Sequence, residues 1–432
     1  FEKQKQGKTK ISYKPQQVEL IPKTTKGKVL SLLKKVDEKN QLDEIVEKLQ
    51  LKEILDNDIS KISGGELQRV AIAASILKDA NIFIMDEPTS FLDIKQRIKM
   101  SNFTKSLTEK KNSIVVVEHD LIILDYIADL VHVMFGQEAS YGIVSGVKPI
   151  KRGINVYLSG YLKEENIRFR TEIKFNERPP SKKASKEILV EWENIETKLG
   201  KFSLKAEKGT IHKKEVIGIL GENGIGKTTF VKILASVIKQ KKGSISKKIK
   251  VSYKPQYIES STDLVSQALA TAFKKYKTQI ITPLHLEPLA LKKINELSGG
   301  ELQRVAIANC LQKEADLYLL DEPSAYLDSE QRLVVSKILK EFMEQKGTSA
   351  LVVDHDLLFI DYVSDKLIVF DGTPAIEGSV KGPFTMEEGM NIFLKDLGIT
   401  LRRDKESKRP RVNKINSKLD REQKQKEMYY YT

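Results

Sequence analysis

A glycine-rich stretch of the sequence has the residue types and spacing to hold phosphate groups. The segment VIGILGENGIGKTTFVKILA, residues 216–235, has the pattern G-x-x-x-x-G-K-[ST]. An apolar run that predicts a strand precedes the glycines and a helical pattern follows them, which disfavours a turn without a ligand. The backbone N–H groups would surround phosphate oxygens, Lys227 would reach the β- and γ-phosphates, and the Thr228 hydroxyl would bind Mg²⁺. The predicted nucleotide-binding residues are Gly221, Glu222, Asn223, Gly224, Ile225, Gly226, Lys227, Thr228 and Thr229.

Polar residues that follow other apolar runs complete a candidate site for nucleotide hydrolysis. Asp321 would hold Mg²⁺ through water, and Glu322 would orient and deprotonate the attacking water. His355 would contact the γ-phosphate, and Gln256 would touch Mg²⁺ and the water. Taken singly, these last two are ordinary polar residues at strand ends, but the complete set favours catalysis. The predicted catalytic residues are Glu322, His355 and Gln256, and the predicted metal ligands are Thr228, Gln256 and Asp321.

These groups must be positioned by strands that alternate with helices. The apolar runs NIFIMDEP, SIVVVEHD, DLYLLDEP and SALVVDHD end in acidic residues, and helical patterns such as SGGELQRVAIANCLQKEA lie between them. This alternation predicts an α/β fold with parallel sheets that are covered on both faces. In such sheets the functional groups gather at the carboxyl ends of the strands.

The sequence contains a long internal repeat. SGGELQRVAIA occurs at 63–73 and again at 298–308, and MDEPTSFLD at 85–93 matches LDEPSAYLD at 320–328. VVVEHDL, SYKPQ and GINVYL also have counterparts, in the same order and at offsets of 235 to 240 residues. Matching motifs in matching order indicate a duplication. The segment NERPPSKKASKE, residues 176–187, has the composition of a short linker between the halves.

The composition limits the class of protein. A chain of 432 residues corresponds to two or three domains at roughly 150 residues each. No apolar run approaches the roughly 18 residues that span a bilayer, and the single Cys310 fits a reducing compartment. The net charge is +14, with +6 in residues 1–28 (eight Lys, two Glu) and +6 in residues 401–432 (eleven Lys and Arg, five Asp and Glu). Basic ends favour a polyanionic partner such as RNA, the alternative being solvated terminal tails.

The motifs resemble those of ATP-binding-cassette ATPases. LSGGELQR is similar to the signature motif of that family, DEP to the end of its second nucleotide motif and YLD to its D-loop, while His355 and Gln256 match its switch histidine and Q-loop glutamine. The resemblance implies an ATPase that uses ATP and Mg²⁺. It also implies two tandem α/β cassettes of the P-loop type, arranged head to tail, of which the first is incomplete.

Head-to-tail pairing accounts for the doubled signature. In the family, each nucleotide lies between the phosphate loop of one cassette and the signature of the other, so that ATP closes the pair and hydrolysis releases it. The resemblance implies that the ATP held by Lys227 also contacts Ser63, Gly64, Gly65 and Glu66. An incomplete second site would consist of Gln16, Asp86, Glu87, His119, Ser298, Gly299 and Gly300.

Longer stretches are similar to the ribosome-recycling factor family of archaea and eukaryotes, also called the RNase L inhibitor family. They are KPQQVELIPKTTKGKV, GINVYLSGYLKEENIRFR and the sequence from GMNIFLKDLGITLRR onward. Asn155 and Asn391, with Arg168–Arg170 and Arg402–Arg403, resemble the two hinge segments of that family. The resemblance implies a cytoplasmic protein, without a membrane partner, that splits ribosomes after termination. Its implied partners are the small ribosomal subunit, ribosomal RNA and a termination or recycling factor protein.

The resemblance also sets the domain boundaries and exposes departures. We expect a first cassette at 1–150, a hinge and linker at 151–187, a second cassette at 188–382, and a hinge with a basic tail at 383–432. Gln256 lies 29 residues after Lys227, so the first phosphate loop would lie upstream of Phe1, near position −13. Two [4Fe-4S] clusters are expected on an upstream domain and none in this chain, where Cys310 is expected in a helix core.

The base-stacking residue is a further departure from the family. Leu199 stands where the family would place an aromatic residue that stacks on adenine, and Phe202 is a weak substitute. Trp192 is expected in the core.

Three other functions are compatible with the nucleotide motifs but fit the rest of the sequence less well. The tandem ATPase of a membrane importer shares the motifs but not the hinge-like segments or the basic C-terminal end. Translation factors with twin cassettes carry a long helical linker, whereas only about twenty residues are available here. A DNA-repair ATPase would need a coiled coil inside each cassette, and no sustained heptad pattern occurs.

Overall fold

The structure is a computed structural model that describes residues 9–109, 112–137, 140–170, 172–173, 185–256 and 261–431. It divides into two compact units between Val131 and His132. Of the predicted linker, residues 176–184 lie outside the described residues, as do the first eight residues of the basic N-terminal stretch. No helix in the described ranges combines the length and apolar character needed to cross a bilayer.

The first unit contains a parallel sheet of three strands with helices packed on it. The strands Ile11–Lys14, Ile82–Asp86 and Ser113–Val117 pair in that order, with Ile11 opposite Ile82 and Ile82 opposite Ser113. Its strands are β1 (Ile11–Lys14), β2 (Ile82–Asp86), β3 (Ser113–Val117) and β4 (Leu130–Val131). Its helices are α1 (Ile21–Thr24), α2 (Val29–Val36), α3 (Leu42–Lys48), α4 (Gly64–Ile76), α5 (Ile94–Glu109) and α6 (Leu121–Ile127).

The second unit contains the remaining elements. Its first strands are β5 (Met134–Gln137), β6 (Tyr141–Val144), β7 (Lys148–Pro149), β8 (Tyr161–Leu162), β9 (Ile167–Arg168), β10 (Ile188–Leu199), β11 (Phe202–Ala206), β12 (Gly209–His212) and β13 (Val216–Leu220). They are followed by β14 (Lys242–Ile245), β15 (Val251–Lys254), β16 (Leu317–Asp321), β17 (Ser349–Val353), β18 (Lys366–Thr373), β19 (Glu377–Thr385), β20 (Leu401–Arg403) and β21 (Pro410–Val412). Its helices are α7 (Ile150–Ser159), α8 (Lys227–Leu234), α9 (Val265–Ala268), α10 (Ala270–Lys275), α11 (Gly299–Leu311), α12 (Ser329–Lys346), α13 (Leu357–Val363), α14 (Met386–Leu397) and α15 (Lys418–Gln425).

Ten strands of the second unit form one sheet, in the order β12-β10-β11-β19-β18-β13-β17-β16-β15 with β14 paired to β10. The neighbours from β18 to β15 are parallel. Every residue of β13 and β17 is buried, which explains why VIGIL and SALVV are almost continuous apolar runs. The predicted α/β fold with a parallel sheet is therefore confirmed.

The antiparallel part of this sheet was not predicted. Strands β10, β11 and β12 pair antiparallel, as do β18 and β19. The turn from Leu199 to Phe202 contains Gly200 at φ 59°, and a left-handed residue of this kind permits a tight hairpin. The repeated motifs lie at strand ends and carry no signal for such a hairpin.

The carboxyl ends of the parallel strands collect the predicted functional residues. Because β13, β15, β16 and β17 run in one direction, the segments that follow Leu220, Lys254, Asp321 and Val353 lie at one edge of the sheet. In the first unit, β1, β2 and β3 similarly end before Gln16, at Asp86 and before His119.

The basic C-terminal segment is folded. Strands β20 and β21 pair antiparallel, and the Thr400 hydroxyl donates to Asp420 at 2.7 Å inside this segment. Arg409 is completely buried and Tyr430 is 5% exposed. Residues 401–431 therefore pack on the second unit, and the alternative of a solvated tail is wrong for this end of the chain.

Two further expectations are confirmed. Trp192 is 1% exposed, and its indole N–H donates to the Glu207 carbonyl at 2.7 Å. Cys310 lies in α11 and is 2% exposed, and burial raises the pKa of its thiol to about 11. Both side chains are core residues.

Candidate functional site

The glycine-rich loop connects the buried strand β13 to the N-terminus of α8. Gly226 is the residue before α8, and its φ of 93° lies in the left-handed region. A Cβ atom at this position would come within 2.7 Å of the Phe202 ring. Glycine is therefore required both by the backbone conformation and by the close approach of that ring. The loop directs the N-terminus of an eight-residue helix, where anions are stabilised, toward the edge of the sheet.

Lys227 lies across the loop instead of extending into solvent. It is 8% exposed, and its ammonium donates to the Gly221 carbonyl at 2.9 Å and to Asn223 Oδ1 at 3.4 Å. These two neutral acceptors hold the Lys227 ammonium against the loop. The arrangement suits the binding of phosphate oxygens, which would take the place of the loop acceptors.

Thr228 and Asp321 meet beside this loop. Thr228 Oγ1 lies 3.4 Å from Asp321 Oδ2. Burial raises the pKa of the Asp321 carboxyl, while the charges of Lys227 and Lys254 oppose that rise. The Tyr253 hydroxyl also donates to Asp321 Oδ2, at 3.3 Å, and burial together with the Asp321 charge raises its pKa to about 12.

These oxygen atoms fit the preferences of Mg²⁺. A hydroxyl and a carboxylate next to a phosphate-binding loop are suitable ligands, because Mg²⁺ in nucleotide sites usually takes one or two protein oxygens and completes its shell with phosphates and water. Within the described residues, no group of three or more His, Cys, Asp or Glu residues is arranged to hold a metal. Thr228 and Asp321 are the residues that would hold such an ion.

The three predicted catalytic side chains converge. Gln256 Nε2 donates to Glu322 Oε1 at 2.7 Å, and His355 Nε2 lies 3.6 Å from the same oxygen. His355 Nε2 is also 3.0 Å from Asn223 Oδ1 in the glycine-rich loop. The sheet thus brings a carboxylate, an imidazole and an amide together beside the glycine-rich loop.

Two contacts to the Glu322 backbone were not predicted. Glu322 has a φ of 47°, an unfavourable conformation for a residue with a side chain. Its carbonyl accepts hydrogen bonds from Lys254 Nζ at 3.2 Å and from Gln303 Nε2 at 2.6 Å. Burial lowers the pKa of Lys254 to about 8. The available signal was the presence of this lysine and this glutamine inside the repeated SYKPQ and GGELQR motifs.

The first unit contains the same cluster around Glu87. Gln16 Nε2 donates to Glu87 Oε1 at 2.7 Å, and His119 Nε2 lies 3.3 Å from that oxygen. The Glu87 carbonyl accepts from Lys14 Nζ at 3.2 Å and from Gln68 Nε2 at 2.6 Å. Burial acts to raise the pKa of Glu87. The pKa is nevertheless lowered to about 2, because His119 contributes a hydrogen bond and a charge and because Ser90 and Gln16 each contribute a hydrogen bond.

The other predicted residue of that cluster lies at the end of β2. Asp86 Oδ2 accepts a hydrogen bond from the Tyr13 hydroxyl at 3.2 Å, as Asp321 does from Tyr253. The duplicated motifs therefore form duplicated geometry.

Each signature motif begins a helix. In the first unit, Ser63 caps α4: the Glu66 N–H donates to Ser63 Oγ at 3.4 Å, and the Glu66 carboxylate accepts from Ser63 N–H and Oγ, each at 2.7 Å. Gly64 and Gly65 form the first turn. In the second unit, Ser298 caps α11: the Glu301 N–H donates to Ser298 Oγ at 3.4 Å, and the Glu301 carboxylate accepts from the Ser298 N–H at 2.8 Å. Gly299 and Gly300 form the first turn of this helix. The S-x-x-E spacing signals this reciprocal cap, which the sequence analysis did not assign.

Hinge-like residues on α7 and α14 each contact the C-terminal segment within the second unit. Asn155 on α7 donates to Glu406, and Lys151 lies 3.9 Å from the Glu406 carboxylate. The Arg170 guanidinium lies 3.9 Å from the centre of the Tyr157 ring. Asn391 on α14 accepts a hydrogen bond from the Tyr430 N–H at 2.9 Å. The 151–170 segment thus packs against the C-terminal segment.

Arginines of the same segments take part in this packing. Arg168 lies over the Tyr161 ring, at 5.7 Å from its centre. Arg402 and Arg403 lie in β20, and the Arg403 guanidinium is 4.5 Å from the centre of the Tyr431 ring.

Neither candidate for stacking on the adenine base is an exposed aromatic side chain. Leu199 is 41% exposed at the end of β10. Phe202 packs on Gly226 and on the core of the second unit. Its ring supports the phosphate loop.

Comparison with known proteins identifies the family. The model of the family described as "ABC transporter" matches residues 2–90 and 204–325. The chain is 53% identical to an uncharacterized ABC transporter ATP-binding protein of Methanocaldococcus jannaschii, over 100% of this chain and 72% of the relative.

Two solved structures are similar over the whole chain. One is the archaeal ribosome recycling factor aABCE1 in complex with the archaeal ribosomal stalk protein aP1, with a TM-score of 0.92, 50% identity, and coverage of 100% of this chain and 85% of that one. The other is ABCE1 in a model of ribosome-bound archaeal Pelota and ABCE1, with a TM-score of 0.93, 49% identity and coverage of 100% and 74%. The chain belongs to the ABCE1, or RNase L inhibitor, family of ATP-binding-cassette ATPases.

Proposed function

We propose that this chain is an ATP-driven ribosome recycling factor, which splits ribosomes into subunits by binding and hydrolysing ATP between two cassettes. The observation that carries the proposal is the similarity over 100% of the chain to an archaeal ribosome recycling factor, at a TM-score of 0.92. The duplicated cluster around Glu87 and Glu322 supports it, because two coupled cassettes need matching machinery.

The geometry of the second unit supports a specific division of labour among its residues. The loop from Gly221 to Thr229 would bind the triphosphate, with Lys227 neutralising the β- and γ-phosphates. Thr228 and Asp321 would hold Mg²⁺, with Gln256 beside them, and the bound ion would offset the charge of the phosphates. Glu322 would accept the proton of the attacking water, and His355 would hold the γ-phosphate.

The signature of the first cassette would complete this site. The role proposed for this signature rests on sequence resemblance. Ser63 would supply a hydroxyl to the γ-phosphate, and Gly64 and Gly65 would supply N–H groups of the helix N-terminus. The Ser63 hydroxyl is not available to a phosphate in the described structure, because Ser63 Oγ donates to the Glu66 carboxylate. Binding of the phosphate would require this hydroxyl to exchange the Glu66 carboxylate for a phosphate oxygen.

The proposed partners follow from the relatives and from the charge. The similar ABCE1 structures contain a ribosomal stalk protein in one case and Pelota with the ribosome in the other. A net charge of +14 would favour contacts with ribosomal RNA through counterion release. We place the protein in the cytoplasm with the small subunit, rRNA and a termination or recycling factor as partners. Iron–sulfur clusters upstream of Phe1 stay a prediction.

A binding experiment separates this proposal from the importer alternative. The full chain, with a non-hydrolysable ATP analogue, is incubated with small ribosomal subunits or with a membrane fraction, and each is sedimented at increasing salt. We expect co-sedimentation with the subunits that weakens steeply as salt rises, because phosphate contacts release counterions. Sedimentation with membranes alone would support the importer and overturn the proposal.

A further inference from the structure

A carboxylate next to the histidine holds the loop that follows Glu322. Asp354 lies between the end of β17 and His355, and it is 3% exposed. Its Oδ2 accepts a hydrogen bond from the Ser324 N–H at 3.0 Å, and its Oδ1 accepts one from the Ser324 hydroxyl at 2.8 Å. Oδ1 also accepts the N–H of Asp356 at 2.9 Å. Asp354 therefore joins the loop after Glu322 to the strand end that carries His355.

This connection adds to one made by the preceding residue. The Glu322 N–H donates to the Val353 carbonyl at 2.7 Å. Val353 therefore holds the backbone of Glu322, and the next residue, Asp354, holds the backbone and the hydroxyl of Ser324. Glu322 needs such support, since its φ of 47° is an unfavourable backbone conformation for a residue with a side chain.

The first unit makes the same connection with different side chains. Glu118 precedes His119, and its Oε1 accepts the Thr89 N–H at 3.1 Å and the Thr89 hydroxyl at 2.5 Å. Glu87, two residues before Thr89, has a φ of 45°, and its N–H donates to the Val117 carbonyl at 2.9 Å. A Ser–Asp pair in one unit is therefore replaced by a Thr–Glu pair in the other, while the hydrogen bonds are retained.

We propose that Asp354 is a positioning residue for ATP hydrolysis, which fixes the Glu322 carboxylate relative to His355 through its two hydrogen bonds to Ser324. Asp354 does not belong to the phosphate loop, so its removal should leave the contacts of Lys227 and Thr228 in place. A shift of the base by a fraction of an ångström, in contrast, affects the chemical step. The proposal rests on the role of Glu322 in the proposed function.

Four variants of the full chain test the proposal. Asp354→Ala removes the clamp, and the double variant S324T/D354E rebuilds it with the side chains of the first unit. Glu322→Gln tests the assignment of the base itself. Ser349→Ala is the matched control, because Ser349 is a fully buried residue of the same strand β17 whose hydroxyl donates to the His212 carbonyl at 2.7 Å, at the opposite end of the strand.

The measurements are kcat, the dissociation constant for ATP and the melting temperature. For Asp354→Ala we expect kcat to fall about 100-fold with ATP affinity unchanged. S324T/D354E should recover most of the lost rate, and Ser349→Ala should keep the wild-type kcat. A merely structural role for Asp354 would instead lower the melting temperature and ATP affinity together with kcat, with Ser349→Ala behaving similarly.

Distinct outcomes overturn distinct statements. Wild-type kcat in Asp354→Ala, or no recovery in S324T/D354E, overturns the role of Asp354 while an inactive Glu322→Gln still supports the proposed base. An active Glu322→Gln overturns both. If Asp354→Ala fails to fold, Ser324→Ala removes one donor of the same clamp, and an unchanged kcat in that variant refutes the proposal.

Discussion

At the scale of single residues, Glu322 shows how the surrounding structure determines the chemistry of a side chain. Its carboxylate meets Gln256 and lies 3.6 Å from His355. Its carbonyl is held by Lys254 and Gln303. These contacts maintain a backbone conformation that is unfavourable in isolation, and they direct the carboxylate toward the phosphate loop.

Replacing this carboxylate should separate binding from hydrolysis. In Glu322→Gln, the phosphate loop and the buried contacts remain, but the side chain no longer accepts a proton. We expect ATP to bind normally and single-turnover hydrolysis to fall by a factor of at least about 100. The control is Glu193→Gln, since Glu193 is an exposed glutamate on β10 that pairs with Lys208. Hydrolysis that persists in Glu322→Gln would show that another group is the base.

Cys310 permits a residue-scale test of the core. Its thiol has a pKa raised to about 11 by burial and lies 2% exposed in α11. The reactive thiolate is therefore scarce and inaccessible at pH 8. We expect no reaction of the native chain with an aromatic disulfide reagent at pH 8, and one equivalent after denaturation in guanidinium. Rapid labelling of the native chain would mean that α11 does not pack as described.

At the scale of elements, the ends of the helices show where glycine is needed. Helices α7, α12 and α14 each end at a glycine in the left-handed region, Gly160, Gly347 and Gly398, with φ between 65° and 69°. A Cβ at Gly160 would approach the Arg170 carbonyl to 2.3 Å, whereas one at Gly347 or Gly398 would meet nothing within 4 Å.

These glycines allow a matched stability test. Gly347→Ala and Gly398→Ala should each lower the free energy of unfolding by about 1 kcal/mol, the cost of alanine in the left-handed region. Gly160→Ala should cost more, because it adds a clash with the hinge segment. Urea unfolding of the three variants measures the difference. Equal losses in all three would contradict the close packing of residues 160 and 170.

The elements that the sequence predicted share one property. The runs VIGIL, DLYLLD and SALVVDHD could be recognised as parallel strands, because a strand that is buried on both faces is apolar along almost its whole length. The clustering of the candidate site residues at their ends was predictable for the same reason, since strand direction places them together. Lys254 and Gln303 were not assigned, because a polar residue that serves a backbone carbonyl has no periodic pattern. The folded C-terminal segment, with Arg409 buried, was hidden by its high charge.

At the scale of the whole molecule, the two units differ in how well their parallel strands are covered. In the second unit every residue of β17 is buried beside β13. In the described part of the first unit, Val115 and Val117 of the corresponding strand β3 are 51% and 40% exposed. Exposed apolar side chains on a strand favour association.

Separate expression should reveal this difference. We expect residues 132–432 to be soluble and to unfold cooperatively, whereas residues 1–131 should aggregate. Analytical size-exclusion chromatography and thermal melts of the two pieces measure the effect. The full chain serves as the control for expression conditions. A monomeric first unit that melts as cooperatively as the second would contradict the prediction.

We expect ATP binding and hydrolysis at the Lys227 and Glu322 site to drive the separation of ribosomal subunits. The most direct measurement is a splitting assay with purified ribosomes and a termination factor, with subunits resolved on sucrose gradients. We expect the wild-type chain to split ribosomes with ATP, and Lys227→Met, which loses the cation of the phosphate loop, to fail to split them. Glu193→Gln should split ribosomes as the wild type does. Splitting that proceeds equally without nucleotide, or equally well with Lys227→Met, would contradict the account.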